Sequence, residues 1–129
     1  MLMLTLQEIK EHCRVELDQT EEDRLLRGYG RAAWRLVANV TGRKLYEVTP
    51  PEDATEAQLD DPDYLNSFLP PDAPENAVAV DEDLRLAMLL MVAHWRRNRE
   101  AVTDALNAGV KEVPLAFAAL TGPYLWVTL

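Results

Sequence analysis

The chain has 129 residues, of which 48% are hydrophobic and 27% charged, so it can fold as one domain with its own core. Its 13 Lys and Arg residues are outnumbered by 22 Asp and Glu residues, giving a net charge of -9. This balance argues against tight sequence-independent DNA binding, because such binding depends on basic residues that neutralise phosphates. The single cysteine, Cys13, excludes an internal disulfide framework and leaves a zinc cluster without its ligands. The longest apolar stretch, residues 86–95, is about half the length of a membrane-spanning helix, so no membrane segment is expected.

The first helix is predicted over residues 5–17. Thr5 and Glu8 have the spacing of a capping box, in which two side chains satisfy otherwise unpaired N–H groups at a helix start. Apolar residues then recur at helical spacing as far as Leu17.

The second helix is predicted over residues 20–41, and its two sides differ sharply. Acidic residues at its start complement the helix dipole, and Gly42 stands where a left-handed residue ends a helix at little cost. Gly28 and Gly30 each weaken the helix by about 1 kcal/mol relative to alanine, which favours support from packing. Its apolar face consists of Leu25, Leu26, Tyr29, Ala33, Leu36, Val37 and Val40. On the opposite face lies a narrow arginine stripe, which consists of Arg24, Arg27, Arg31 and Arg35.

Residues 43–80 are predicted to form a long, acidic, proline-rich connection. Residues 46–83 include twelve Asp and Glu residues and no Lys or Arg, so they carry -12, whereas the rest of the chain, with 13 basic and ten acidic residues, carries +3. Six of the eight prolines also fall here, and proline removes a backbone donor and blocks helix continuation. A loop this long is unusual in a compact domain and is normally functional or partly disordered. Leu65, Phe68 and Leu69 are expected to hold its second half against the body.

The second half of the chain is predicted to contain a central helix over 82–106 and a short helix over 114–121, opened by Pro114. Apolar residues cover most of the circumference of the central helix, as in a helix that is buried on several sides. Residues 123–129 are apolar and β-prone but too few for a sheet of their own. They are expected to form an extended tail that folds back on the body or docks on another chain. The sequence therefore predicts an all-α fold: a small bundle of about four helices.

The residues show no constellation typical of catalysis or of metal binding. Gly28 and Gly30 lie within a helical pattern and lack the strand and the third glycine of a dinucleotide site. His12 and His94 are far apart, and His94 fits a hydrogen-bonded core or interface residue better than a catalytic one. Cys13 fits a small buried apolar residue better than a nucleophile. Acids in a solvated loop lack the dry setting that acid–base catalysis needs, so no enzymatic activity, cofactor or metal is predicted.

Three interpretations of the arginine stripe are open. It is a solvated helix face, a contact surface for carboxylates, or a nucleic-acid contact, which the overall negative charge disfavours. Arginine suits carboxylates in partly desolvated interfaces because its guanidinium group is a planar fork with five donors. The acidic connection of one copy would then meet the stripe of a neighbouring copy.

Two stretches of the sequence carry a further signal when they are taken together. The first runs from Leu6-Gln7-Glu8-Ile9-Lys10 to Val40-Thr41-Gly42-Arg43-Lys44, where the second helix ends. The second includes VAHWRRNREAV at 92–102 and VPLAFAALTGPY at 113–124. In order and spacing they resemble the head–tail connector (adaptor) proteins of tailed bacteriophages, over about residues 5–45 and 84–126.

This resemblance implies a small, mainly helical structural subunit, with no enzymatic activity or cofactor, that assembles into a ring under the capsid portal. Such a ring extends the channel, through which double-stranded DNA passes without sequence-specific binding, and docks the next stopper or tail-completion protein. It implies a place at the head–tail junction of the virion, and in the host cytoplasm during assembly.

Within that scheme, we expect two contact surfaces. Subunit contacts are expected at Arg24, Arg27, Arg31 and Arg35. Portal docking is expected at the tail residues Tyr124, Leu125, Trp126 and Val127. The alternative is a small helical regulator that binds nucleic acid or a regulatory protein as a dimer.

Overall fold

The computed structural model describes residues 4–99 and 115–126, and these form a mostly helical fold. The helices are α1 (Leu6–Cys13), α2 (Asp23–Thr41), α3 (Glu56–Leu59), α4 (Pro62–Asn66), α5 (Glu82–Arg97) and α6 (Leu115–Thr121). Two short strands are β1 (Lys44–Tyr46) and β2 (Ala77–Ala79), and a 3₁₀ turn covers Gly122–Tyr124. The predicted all-α class is confirmed, with a small sheet added to it. The predicted extension of the central helix to residue 106, the start at Pro114 and the tail from Val127 onward lie outside the described residues.

The core forms where α5 packs against both α2 and α6, with α1 packed against α2 and α5. Apolar side chains line these contacts because they recur every three or four residues along each helix. The largest fully buried side chains of this core include Leu26 and Val37 on α2, Leu84, Met88, Met91 and Val92 on α5, and Phe117 on α6. The prediction of a central helix buried on several sides is thus confirmed for Glu82–Arg97.

The packed face of α2 differs in part from the predicted one. Val40 is 41% exposed, so its assignment to the packed face is wrong, whereas Thr41 is buried and its hydroxyl donates to the carbonyl of Val37 at 2.7 Å. Gly30 is buried against α1, and a Cβ added there would lie 3.0 Å from Cδ1 of Ile9. This glycine therefore permits the close approach of the two helices.

The start of α1 keeps half of the predicted capping box. The hydroxyl oxygen of Thr5 accepts the N–H of Glu8 at 3.1 Å. The carboxylate of Glu8 instead accepts two hydrogen bonds, at 2.7 and 2.8 Å, from Nη1 of Arg85 on α5. Glu8 therefore joins α1 to the central helix α5 through its ion pair with Arg85.

The prediction that the first helix runs to residue 17 is wrong, since α1 ends at Cys13. Arg14 adopts a left-handed conformation, with φ 60° and ψ 40°, and so terminates the helix without a glycine. Leu17 is 54% exposed and does not continue the apolar face. The second helix begins at Asp23, three residues later than predicted.

A buried lysine fixes the connection between α1 and α2. Lys10 is 3% exposed, and its ammonium group lies 2.7 Å from a carboxylate oxygen of Asp23 at the start of α2. It also donates to the carbonyls of Leu17 at 3.2 Å and Gln19 at 2.5 Å. Because a buried charge is costly unless it is paired and hydrogen-bonded, these bonds make the turn part of the core.

The acidic connection is more regular than predicted. β1 pairs with β2 in parallel, in the register Lys44–Ala77, Leu45–Val78 and Tyr46–Ala79. Parallel strands need a crossover of a dozen or more residues, so the long segment 47–76 is the crossover of this pair. The prediction of 43–80 as one long loop is therefore wrong, because this range includes both strands and the two short helices α3 and α4.

Local capping and one buried leucine order the acidic crossover. Thr55 and Gln58 form a complete capping box at the start of α3. Leu65 is buried, as predicted. Phe68 is 38% exposed, so its predicted packing against the body is wrong, and its ring packs edge-on against Tyr64 of the same segment, with ring centroids 5.2 Å apart. The amide oxygen of Asn66 accepts the N–H of Ala79 at 2.9 Å and so joins α4 to β2.

Candidate functional surfaces

The arginine stripe lies along the solvent-facing side of α2. Four arginines occupy positions 24, 27, 31 and 35, and all four are exposed. At a rise of 1.5 Å per residue, the stripe is about 16 Å long. Gly28 and Ala32, which are also exposed, lie beside it, and a Cβ at Gly28 would meet nothing within 4 Å. The guanidinium groups are therefore accessible along an open helix face.

Neither the stripe nor the acidic crossover takes part in the ion pairs observed among residues 4–99 and 115–126. Those pairs join Lys10 to Asp23, Arg85 to Glu8, and Arg96 to Glu22. All of their acids lie before residue 24, and none of their bases belongs to the stripe. The two surfaces of opposite charge are thus left without charged partners inside the described part of the subunit.

The acidic crossover presents its carboxylates to solvent. Glu47, Glu52, Asp53, Glu56, Asp60, Asp61, Asp63, Asp72 and Glu75 are all exposed. Asp61 caps α4 by accepting the N–H of Asp63 at 3.0 Å. The side chains of Asp53 and Asp60 make no such capping bond. The segment is therefore a displayed surface of negative charge, held in place by β1, β2 and Leu65.

The segment Tyr124–Trp126 folds back on the body at the turn that ends α2. Gly42 terminates this helix with φ 68°, as predicted, and the chain then turns into β1. The N–H of Trp126 donates to the carbonyl of Thr41 at 2.7 Å, and Nε of Arg43 donates to the carbonyl of Tyr124 at 2.8 Å. The Arg43 guanidinium also lies 4.8 Å from the centre of the Trp126 ring.

A second anchor holds the same segment on the start of α5. The hydroxyl of Tyr124 donates to a carboxylate oxygen of Asp81, whose other oxygen accepts the N–H of Leu84 at 3.0 Å. Burial, followed by this hydrogen bond and the charge of Asp81, raises the pKa of the Tyr124 hydroxyl. The hydroxyl therefore stays protonated and can donate at neutral pH. The segment Tyr124–Trp126 is thus anchored both at the end of α2 and at the start of α5.

Two predicted tail residues keep apolar surface in solvent although their backbone is anchored. Leu125 is 49% exposed and Trp126 is 39% exposed. Val127 lies outside the described residues. Arg43, which binds this segment, had no predicted role, although its position directly after the helix-terminating Gly42 was the available signal.

The remaining candidates have environments that fit structural residues. Burial and the nearby charge of Arg97 lower the pKa of His12, and burial raises the pKa of the Cys13 thiol. His94 is half-buried and shares the end of α5 with Asn98, whose amide donates to the His94 carbonyl at 2.9 Å. Within residues 4–99 and 115–126, no group of three or more His, Cys, Asp or Glu side chains is arranged to hold a metal ion. In the same ranges, no helix combines the length and apolar character needed to cross a bilayer.

The small helical fold thus carries two exposed surfaces of opposite charge, the arginine stripe on α2 and the acidic crossover. A family model described as phage gp6-like head-tail connector protein matches residues 3–123, nearly the whole chain. The chain therefore belongs to the family of phage head–tail connector proteins, whose members are structural components of the virion and contact other virion proteins. No curated protein and no solved structure matches it.

Proposed function

We propose that this connector subunit assembles into a ring beneath the capsid portal, extends the DNA channel and docks the next stopper or tail-completion protein. The observation that carries the proposal is the pair of oppositely charged surfaces, which have no charged partners among residues 4–99 and 115–126. Rings require heterologous interfaces, in which one surface of each subunit meets a different surface of the next. A chain with separate basic and acidic faces fits that requirement. Its proposed role is structural and involves no catalysis.

The two contact surfaces have different roles in this proposal. The arginine stripe contacts a neighbouring subunit, because arginine binds carboxylates well in a partly desolvated interface. The tail docks on the portal, because Leu125 and Trp126 keep apolar surface exposed while their backbone is held against the body. The net charge of -9 suits a channel wall along which double-stranded DNA slides without specific binding.

The assembly is tested by measuring the mass of the purified chain alone and after mixing with portal rings, using native mass spectrometry and negative-stain imaging. A ring in either sample supports the proposal. A chain that stays monomeric in both samples and never joins the portal contradicts it.

Portal docking is tested by truncating the chain after Tyr124, which removes both exposed tail residues, Leu125 and Trp126, and keeps the Tyr124–Asp81 hydrogen bond. We expect the truncated chain to keep its helix content and to lose most of its binding in a pull-down with portal rings. The matched control is Leu17→Ser, which removes a similarly exposed leucine far along the chain from the tail. Portal binding that is equal for the truncated and the full chain would defeat the tail assignment.

The alternative function, a dimeric regulator that binds nucleic acid, uses the same arginine stripe. It predicts binding to duplex DNA near physiological ionic strength that falls steeply with salt, because phosphate contacts release counterions. A dimer that binds duplex DNA in this manner and does not join the portal would favour it over the connector ring.

A further inference from the structure

We infer that the arginine stripe of one subunit binds the acidic crossover of the next subunit, at residues 52–63. This inference rests on the proposed ring and names its interface. The occupant of the stripe is therefore a second copy of this chain, and the contacts are guanidinium–carboxylate pairs.

The stripe is arranged in a way that disfavours the isolated helix. Arg27 and Arg31, like Arg31 and Arg35, lie four residues apart, a spacing at which like charges destabilise a helix. Arg24 adds a positive charge in the first turn, where the helix dipole favours negative groups. No carboxylate within the described residues pairs with any of these arginines. An external anionic surface would relieve this repulsion along the whole stripe.

The helix surface beside the arginine stripe leaves room for a folded partner to approach. Gly28 and Ala32 are exposed and carry almost no side chain, so they form a shallow surface next to the guanidinium groups. A Cβ at Gly28 would meet nothing within 4 Å, which shows that this side of α2 is open. The planar guanidinium groups can thus form bidentate contacts with side-chain carboxylates of a neighbouring subunit.

The acidic crossover matches the stripe in charge and is held in a defined conformation. The exposed acids of residues 52–63 are Glu52, Asp53, Glu56, Asp60, Asp61 and Asp63. The capping box of α3 and the cap of α4 fix the backbone that carries them, and buried Leu65 fixes the segment on the body. Less conformational entropy is lost on binding when the acids are already positioned in this way.

Charge location within one subunit favours contact between copies. The ion pairs inside the described part of the subunit use other residues, so the stripe and the crossover are both available on the same molecule. A surface that binds a different surface of an identical copy generates either a closed ring or an open filament. The proposed connector ring is the closed case.

The experiment reverses the charges separately and then together. The double variant Arg27→Glu/Arg31→Glu and the double variant Asp53→Arg/Asp60→Arg should each raise the concentration for half-assembly by roughly ten-fold or more, since like charges then face each other. Neither Asp53 nor Asp60 caps a helix with its side chain, so the second variant leaves the local fold intact. The quadruple variant restores opposite charges and should return to within about three-fold of the unmodified chain.

The matched control is Arg14→Glu/Arg97→Glu, which changes the net charge as much as the stripe variant does, at exposed positions outside both α2 and the acidic crossover. Circular dichroism monitors the helix content of every variant. If a charge-reversed variant loses helix content, the neutral variant Arg27→Gln/Arg31→Gln replaces it, with the same direction of effect. Assembly of the unmodified chain should also weaken between about 0.1 M and about 1 M salt, as screening increases.

The outcomes separate this interface from the proposed function. A ring that forms equally well with either double variant, or a quadruple variant as defective as the doubles, overturns the stripe–crossover interface and leaves the ring standing. An unmodified chain that forms no ring, alone or with the portal, overturns both.

Discussion

Two glycines in the same helix provide a matched test of the close contact between α1 and α2. Gly28 and Gly30 both lie inside α2, but Gly28 is exposed with open space around it, whereas Gly30 is buried against Ile9. Replacing each by alanine gives the same gain in helix propensity, so any difference in stability between the two variants measures the contact with α1.

The magnitudes follow from these two environments. Gly28→Ala should raise the free energy of unfolding by about 1 kcal/mol, through helix propensity and lower entropy of the unfolded chain. Gly30→Ala gains the same amount, but its Cβ would lie 3.0 Å from Cδ1 of Ile9, which is 1% exposed and has little room to move. Overpacking a core costs about 1–3 kcal/mol, so the net effect of Gly30→Ala lies between about zero and a loss of 2 kcal/mol.

Urea and thermal unfolding of the two variants, followed by circular dichroism, measure this difference. For a domain of this size, about 1 kcal/mol corresponds to a Tm change of roughly 3–6 °C, so Gly28→Ala should melt above the unmodified chain and Gly30→Ala at or below it. Equal stabilisation by both substitutions would refute the claim that Gly30 permits the close approach of α1.

Two further predictions concern buried polar contacts. Lys10→Met should lower the free energy of unfolding by about 2–4 kcal/mol in urea titrations, because it leaves the largely buried Asp23 carboxylate without its partner; Gln7→Met, at an exposed position of the same helix, is the control and should change it little. Tyr124→Phe should lower the stability near pH 7 and remove an alkaline loss of stability. Because the pKa of Tyr124 is raised in the folded chain, its contribution is complete below the ordinary tyrosine value of about 10 and declines as the pH rises above it. Urea unfolding at pH 7 and at pH 10.5 checks this, and an identical pH dependence of Tyr124→Phe and the unmodified chain would contradict it.

The two principal helices could be predicted from the sequence because their signals are local. Regular apolar spacing and the terminating glycine at 42 define α2, and the acids before Leu84 together with the apolar run after it define the start of α5. The end of α1 could not be predicted in this way. Arg14 takes a left-handed conformation with no glycine or asparagine to signal it, and the compensating hydrogen bonds of Lys10 join residues seven and nine positions away.

The small sheet escaped prediction because it depends on contacts distant in sequence. β1 and β2 have three residues each, and their partners lie 33 positions apart, so neither strand shows an alternating pattern long enough to recognise. The exposure of the arginine stripe followed from helical periodicity alone. The role of Arg43 did not, because its partners Tyr124 and Trp126 come together with it only in the folded chain.

The parallel pairing of β1 with β2 has a consequence for how this subunit can diversify. The two ends of the segment 47–76 are held side by side, so its length can change without displacing α2 or α5. Doubling the length of such a closed segment costs only about 0.6 kcal/mol in chain entropy. Because Leu65 and Asn66 tie α4 to the body, peptides grafted into the acidic crossover before α4 would be displayed without redesign of the helical scaffold.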